Sequence, residues 1–236
     1  MNSTILFGLF LLCAFTSYLP STTAEGVFDT NGEPVINGGT YYVLPVIRGR
    51  GGGIERALTG NETCPLTVLQ SPNELSKGLP IRFSSPFFFP YIAQGFPLII
   101  SFTFVPFCSP IPSSWTIVDG LPEGLAVKLT GYENTVSGVF TIAKSSLELN
   151  SYKLLFHASY SGSSKAIGIH IDGDGNRLLV VNDNNPFLFQ LQKYTTSADT
   201  CEDIGIYIHR NGNKRLVAME NNALVIHFQK VRSSTA

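Results

Sequence analysis

The sequence predicts an all-β protein with a sandwich or barrel-like architecture. Short runs rich in β-branched and aromatic residues recur along the chain, and turn-forming residues separate them, with 22 Gly and 14 Pro in 236 residues. We find no window with the 3.6-residue period of an amphipathic helix. Many short strands at regular spacing with Gly and Pro turns are typical of all-β folds.

The first 24 residues carry no charge, and residues 5–15 form an apolar run that small residues follow. This pattern predicts a secretory signal peptide over residues 1–24, although the usual basic start is missing. The run is too short to span a bilayer, so an N-terminal membrane anchor is disfavoured. We expect a secreted protein, extracellular or vacuolar, that begins near Glu25. Asn61 then starts an Asn-Glu-Thr glycosylation sequon, which can also go unused.

The mature chain of about 210 residues has the size of a single all-β domain. Its strand-like segments are short, as expected for strands between turns. We predict strands at 41–47, 66–70, 97–104, 115–118, 127–129, 137–142 and 152–156, and a Gly-rich turn at 48–53.

The last third of the chain contains an internal repeat. Ile-Gly-Ile at 167–169 recurs at 204–206, and Gln-Lys at 192–193 recurs at 229–230, both with an offset of 37 residues. Each copy reads as strand, turn, strand, turn, strand. Two copies are too few for a solenoid, so the repeat indicates a duplicated β unit.

The stretch Ser84–Tyr91 places three consecutive phenylalanines between Pro86 and Pro90. Proline cannot donate to a sheet ladder, so the stretch is a poor interior strand. Each residue before a proline is also biased towards an extended conformation. We therefore expect a stiff, extended segment with exposed apolar side chains, which is typical of a contact surface. The alternative is a core strand whose ends happen to be prolines.

The predicted mature chain contains an odd number of cysteines. Cys13 lies in the predicted signal peptide, and Cys64, Cys108 and Cys201 remain. In a secreted protein this means one bridge and one leftover thiol, or an intermolecular bond. We expect a Cys64–Cys108 bridge, which contributes about 4 kcal/mol in the chain-entropy model. The spacing alone does not fix the pairing.

Two blocks near the start of the mature chain carry a family resemblance. Residues 27–35 read Val-Phe-Asp-Thr-Asn-Gly-Glu-Pro-Val, and residues 37–43 read Asn-Gly-Gly-Thr-Tyr-Tyr-Val. They resemble the amino-terminal signature of the plant Kunitz-type (soybean trypsin inhibitor-like) protease inhibitors. Further similar blocks lie at 59–68, 73–75, 92–98, 121–124, 152–154 and 177–180.

The resemblance implies a β-trefoil, a short barrel capped by hairpins and built from three four-stranded units. The trefoil domain is expected at 25–194, with the second copy of the C-terminal β unit at 195–236. Either copy can close the barrel. We favour the first because the chain enters it directly from 152–156, whereas Cys201 favours the second copy as the ancestral one. The surplus copy can also be a gene-model artefact.

The resemblance also implies the functional residues. Phe88 takes the primary specificity position, and Phe89 follows the bond that a protease attacks. Asn37 takes the place of the family's loop-supporting asparagine, and Cys64–Cys108 is the family's first disulfide. The full reactive-site loop is Ser85, Pro86, Phe87, Phe88, Phe89 and Pro90.

Three departures from the family pattern affect the expected function. The usual basic residue is absent at Phe88, and phenylalanine suits the hydrophobic slot of chymotrypsin-like enzymes better than the carboxylate of trypsin. Pro90 lacks the N–H that a substrate-like loop donates to the protease. His157 stands where a cysteine of the second disulfide is expected, so Cys201 is predicted to be unpaired. We expect a serine protease inhibitor that prefers chymotrypsin-like targets; the alternative is a non-inhibitory trefoil, a storage or ligand-binding protein.

Other function classes find little support in the sequence. The net charge is −1 and no basic cluster occurs, so we expect no nucleic-acid or membrane partner. Residues 172–176 resemble the start of a calcium loop, but Arg177 occupies the position where an EF-hand needs Gly, so a turn is favoured. No Gly-x-Ser-x-Gly elbow, Cys–His arrangement or metal-ligand spacing of histidines is present. We expect a monomer without enzymatic activity, metal or cofactor.

Overall fold

The computed structural model describes residues 25–146, 148–195, 203–208 and 214–219. The chain divides into two compact units, Met1–Tyr194 and Thr195–Ala236. Within the described residues the regular elements are all strands. The first unit contains β1 (Thr40–Pro45), β2 (Ile54–Ala57), β3 (Thr67–Gln70), β4 (Ile81–Ser84), β5 (Ile99–Phe102), β6 (Trp115–Leu121), β7 (Gly124–Leu129), β8 (Thr135–Val136), β9 (Gly138–Lys144), β10 (Tyr152–Ala158), β11 (Ser164–Ile171), β12 (Arg177–Val181) and β13 (Leu188–Lys193).

The strand pairing of the first unit has a threefold pattern. In β1–β4 and in β10–β13, the first and last strands pair antiparallel and the middle two form a hairpin. In β5–β9 the hairpin is β6–β7, and β8 pairs with β6. Ladders β4–β5, β9–β10 and β13–β1 join the three groups. The three groups do not close into a continuous ring of ladders. Between β5 and β9 an isolated bridge joins Leu98, just before β5, to Phe140 of β9.

The three hairpins meet at their second strands, β3, β7 and β12. Strand β3 pairs with both β7 and β12, and β12 also pairs with β7. Three groups of four, five and four strands around a barrel, with their hairpins converging at one end, are the predicted β-trefoil. The predicted fold class is therefore confirmed. In the second unit, β14 (Asp203–Ile208) and β15 (Lys214–Met219) pair antiparallel.

The core follows from the two-residue period of the barrel strands, which turns every second side chain inwards. Strand β10 buries its first, third and fifth residues, and β13 buries Phe189 and Leu191. These side chains join one apolar cluster with residues of all three groups, including Tyr41, Phe83, Ile100, Ile142 and Tyr152. All seven predicted strand regions contain an observed strand, whereas β2, β4 and the two-residue β8 were not predicted.

The predicted disulfide between Cys64 and Cys108 is present, with 5.9 Å between the two Cα atoms. It is confirmed, while Cys201 lies outside the described residues. His157 occupies the position at which the family resemblance suggests a cysteine. Its Nε2 lies 2.9 Å from the hydroxyl of Thr141 on the neighbouring strand β9.

A buried ion pair joins strand β7 to the connection between β2 and β3. Lys128 is almost completely buried, and its Nζ lies 2.6 Å from the Thr67 hydroxyl, 3.1 Å from Glu62 Oε1 and 3.7 Å from Glu123 Oε1. The Tyr132 hydroxyl also donates to Glu62. Burial acts to raise the pKa of Glu62, but hydrogen bonds from Thr67 and Tyr132, with the charge of Lys128, hold it below its usual value. Glu62 is therefore an ionised partner of Lys128 at neutral pH.

Candidate functional site

The candidate site is the loop of residues 85–90, which is the first part of the connection between the paired strands β4 and β5. None of its residues belongs to a strand, and residues 86–90 are exposed. The stretch is thus an exposed connection and not a core strand. After the loop, Tyr91 forms an isolated bridge with Ile36 of the N-terminal segment, and Ile92 is buried.

The three consecutive phenylalanines have different environments. Phe88 is fully exposed, with a relative accessibility of 107%, whereas Phe87 and Phe89 retain 45% and 46%. The Phe87 N–H donates to the Ser85 hydroxyl at 3.3 Å. The loop therefore presents one large apolar side chain to solvent and partly covers the side chains on either side of it.

Asn37 supports the loop from inside its curve. Its Nδ2 donates to the carbonyl oxygens of Phe89 at 2.9 Å and Phe87 at 3.1 Å, with a longer contact of 3.4 Å to that of Ser85. Its Oδ1 accepts the Ser85 N–H at 2.8 Å. One amide group thereby ties the backbone before and after Phe88 to the same point, and all the partners are uncharged.

The position of Asn37 is set by the turn that enters β1. Gly38 has a φ of 80°, in the left-handed region that glycine adopts readily. Its N–H donates to the Phe83 carbonyl at 2.8 Å, and the Asn37 N–H donates to the Pro90 carbonyl at 2.9 Å. The backbone around Asn37 is therefore bonded both to β4 and to the far end of the loop.

Two buried tyrosines hold the N-terminal segment that carries Asn37. The Tyr41 hydroxyl accepts the N–H of Ile36 at 2.9 Å, and the Tyr152 hydroxyl accepts the N–H of Phe28 at 2.8 Å. Burial raises the pKa of both tyrosines above the usual value. Both phenols are consequently uncharged at neutral and moderately alkaline pH, and the support of the segment does not titrate there.

An aromatic cluster lies behind the loop. The rings of Phe87 and Phe89 both meet the ring of Phe96, with centroid distances of 5.8 and 5.5 Å and interplanar angles of 84° and 80°. The centroids of Phe87 and Phe89 are 6.0 Å apart. Edge-to-face contacts of this kind are favourable for aromatic rings. They explain why the two rings flanking Phe88 are partly covered.

Comparison with known proteins places this architecture in a family. The family model for Kunitz-type legume proteins, described as trypsin and protease inhibitor, matches residues 27–193. The chain belongs to this Kunitz inhibitor family. A Kunitz-type trypsin inhibitor of Glycine max is 52% identical over 205 residues, covering 84% of this chain and 100% of the relative. Trypsin inhibitor A of Glycine max is 49% identical over 201 residues, covering 82% and 92%.

A solved structure supports the same assignment. Soybean trypsin inhibitor, crystallised in complex with porcine pancreatic trypsin, matches with a TM-score of 0.67 and 45% sequence identity. The match covers 72% of this chain and 100% of the soybean chain. The family consists of protease inhibitors and not of enzymes, so this Kunitz-family chain is a non-enzymatic protein of the inhibitor class.

The remaining residues singled out in the sequence lie away from the 85–90 loop. Asn61 is exposed in a turn that the Glu62 N–H closes on the Thr59 carbonyl at 3.2 Å. Asp172 accepts the N–H groups of Asp174 and Asn176 at 3.0 and 2.8 Å, in the turn between β11 and β12. Hydrogen bonding, above all from the Asn176 side chain, lowers the pKa of Asp172.

Within the described residues, no group of three or more His, Cys, Asp or Glu is arranged to hold a metal ion. Likewise, no helix in that part of the chain is long and apolar enough to cross a membrane.

Phe96 is the contact residue that the sequence reasoning missed. Its only signal was an aromatic side chain between Gly95 and Pro97 in the same connection as the loop.

Proposed function

We propose that the protein is a secreted serine protease inhibitor that offers residues 85–90 to its target as a substrate. Phe88 enters the primary specificity pocket, and Phe88–Phe89 is the bond under attack. The observation that carries this proposal is the full exposure of Phe88 between two flanking residues that the Asn37 amide holds.

Preorganisation of the loop supports tight binding. A flexible segment loses conformational entropy when a protease orders it, whereas a loop already held in an extended shape loses little. Inhibitor complexes of ordinary interface size can for this reason be very tight. A soybean relative was crystallised with porcine trypsin, and a serine protease is accordingly the partner class that we assign to this chain.

The chemistry of Phe88 favours chymotrypsin-like targets over trypsin. Trypsin has a carboxylate at the base of its specificity pocket, and chymotrypsin has a hydrophobic slot. A phenylalanine in the trypsin pocket would leave that carboxylate buried without a cationic partner, which is strongly unfavourable. In the hydrophobic slot of chymotrypsin, the same ring is removed from water and buried among apolar groups, which is favourable.

The test is titration of the purified mature protein against chymotrypsin, trypsin and an elastase. We expect tight inhibition of chymotrypsin that Phe88→Ala abolishes, and a gain of trypsin inhibition in Phe88→Arg. Phe107→Ala is the matched control, because Phe107 is equally exposed but lies in the connection after β5. Trypsin inhibition that survives Phe88→Ala would contradict the assignment of Phe88.

A second candidate function rests on Pro90. A substrate-like loop donates the N–H two residues after the attacked bond to the protease, and Pro90 has none. The alternative is thus a non-inhibitory trefoil that stores nitrogen or binds a ligand. No inhibition of any of the three proteases, together with digestion at several sites instead of Phe88–Phe89 alone, would favour this alternative.

Secretion is a separate part of the proposal, since it rests on residues 1–24 alone. The uncharged, apolar start predicts cleavage near Glu25 and delivery to the extracellular space or the vacuole. N-terminal sequencing of the protein from its native tissue tests the cleavage. A mature chain that still begins at Met1 would refute it.

A further inference from the structure

We propose that Phe96 is a positioning residue that keeps the two sides of the Phe88–Phe89 bond together while a protease acts on it. This inference rests on the proposed function of the 85–90 loop. Phe87 lies before the attacked bond and Phe89 after it, and both rings pack on Phe96. If the bond is cut, each new end keeps one ring on the same anchor.

Phe96 is fixed by the barrel and not by the loop. Gly95 has a φ of 77°, which an L side chain adopts only with strain, and its N–H donates to the Ile142 carbonyl at 3.0 Å. The Leu98 N–H donates to the Phe140 carbonyl at 2.8 Å. Residues on both sides of Phe96 are therefore bonded to β9. Pro97 further restricts the Phe96 backbone to extended conformations.

The anchor affects the balance between cutting and resealing. The protease serine oxygen attacks the Phe88 carbonyl carbon and forms an ester with it. The Phe88–Phe89 C–N bond breaks, and the released α-amino group of Phe89 takes the proton of the serine hydroxyl. Water can then hydrolyse the ester. Alternatively, the free-base Phe89 amine attacks the ester carbonyl, restores the peptide bond, and returns a proton to the serine oxygen. An amine that is held close to the ester reacts in an effectively intramolecular step, which favours resealing.

Phe96 and Asn37 hold different parts of the loop. Asn37 bonds the backbone carbonyls of Phe87 and Phe89, whereas Phe96 contacts their side chains. Hydrogen bonds fix the distance between the two ends, and the ring contacts restrict their rotation. Phe88 has no ring contact in the cluster and remains free for the protease pocket.

The test compares the wild type with Phe96→Ala, the conservative variant Phe96→Tyr, and the control Phe107→Ala. Each protein is incubated with a catalytic amount of chymotrypsin, starting once from the intact form and once from the form cut at 88–89. Mass spectrometry follows the ratio of intact to cut protein and confirms that no other bond is cleaved. We expect Phe96→Ala to be cut about ten-fold faster and resealed more slowly, since two aromatic contacts are lost.

The possible outcomes distinguish the anchoring role of Phe96 from the inhibitory function of the 85–90 loop. Phe96→Tyr should behave as the wild type, because it keeps the ring contacts, and Phe107→Ala should do so as well. A general loss of stability would expose other cleavage sites, so cutting confined to 88–89 identifies a local effect. Equal cutting and resealing in the wild type and Phe96→Ala would overturn the role of Phe96. A wild type that is cut and never resealed would refute the inhibitory function, and faster cutting of Phe96→Ala would still support the anchoring.

Discussion

Replacing Asn37 with alanine removes the amide that holds the 85–90 loop and leaves the surrounding backbone bonded. The Asn37 N–H still reaches the Pro90 carbonyl, and the Gly38 N–H still reaches the Phe83 carbonyl, because neither bond uses the side chain. The substitution therefore tests preorganisation of the loop without removing the turn that enters β1.

The size of the effect follows from the geometry. Three of the four contacts are good hydrogen bonds, at 2.8 Å from Ser85 and 2.9 and 3.1 Å to Phe89 and Phe87. A hydrogen bond contributes about 1 kcal/mol net, and water partly replaces it at a half-exposed site. We estimate a loss of about 2 kcal/mol, which corresponds to about thirty-fold weaker inhibition.

The assay is the inhibition constant against chymotrypsin, measured beside thermal unfolding. Asn37→Asp is the matched variant, since its side chain has the same shape and can still accept the Ser85 N–H. It replaces the Nδ2 donor with a carboxylate oxygen, which repels the carbonyl oxygens of Phe87 and Phe89. We expect it to be at least as impaired as Asn37→Ala. Asn184→Ala, in the exposed turn before β13, is the control. Wild-type inhibition by Asn37→Ala would refute the argument that the side chain preorganises the loop.

Three further variants test other parts of the structure. Pro90→Ala restores an N–H after the attacked bond, and we expect up to about ten-fold tighter chymotrypsin inhibition. Replacing both Cys64 and Cys108 with serine should lower the free energy of unfolding by about 4 kcal/mol in denaturant titrations. The pKa of Glu62 is below its usual 4.5. The stability that ionised Glu62 contributes to the folded state is therefore fully present above pH 4.5 and is lost as the pH falls through the lowered pKa. Glu62→Gln should cost about 3 kcal/mol at neutral pH, because Lys128 stays buried, and should reduce the loss of stability on acidification.

Opposite results have specific meanings. An unchanged inhibition constant in Pro90→Ala would show that the protease does not use this N–H. Equal denaturant midpoints with and without the bridge would contradict the stabilising role of Cys64–Cys108. A Glu62→Gln variant with wild-type stability at neutral pH would show that the buried Lys128 does not depend on this partner.

The sequence was informative where local patterns decide the structure. Strand β10 was predictable because residues 152–156 are a short run rich in apolar and aromatic side chains between turn-forming residues, and the structure buries Tyr152, Leu154 and Phe156 of this run. Strand β2, Ile54–Ala57, was missed because only Ile54 is buried and the other three residues carry no apolar alternation. Its pairing with β3 depends on tertiary contacts that a four-residue window does not contain.

The same distinction applies to the candidate site. Pro86 and Pro90 act on their own neighbours, so an extended segment outside the strands could be predicted. The contact of Phe96 with Phe87 and Phe89 depends on the conformation of Gly95 and on hydrogen bonds to β9, which no short pattern encodes. The role of Asn37 came from the family resemblance, because 48 residues separate it from Ser85.

The disulfide has a topological consequence for a molecule cut in the loop. Hydrolysis of Phe88–Phe89 divides the chain into a first piece that carries Cys64 and a second piece that carries Cys108. The bridge crosses the cut, so the two pieces stay a single covalent molecule even if the sheet between β4 and β5 opens. In an oxidising compartment a nicked chain can thus return to its folded arrangement by a unimolecular process. In a reducing one the pieces are free to part, and the nick becomes permanent.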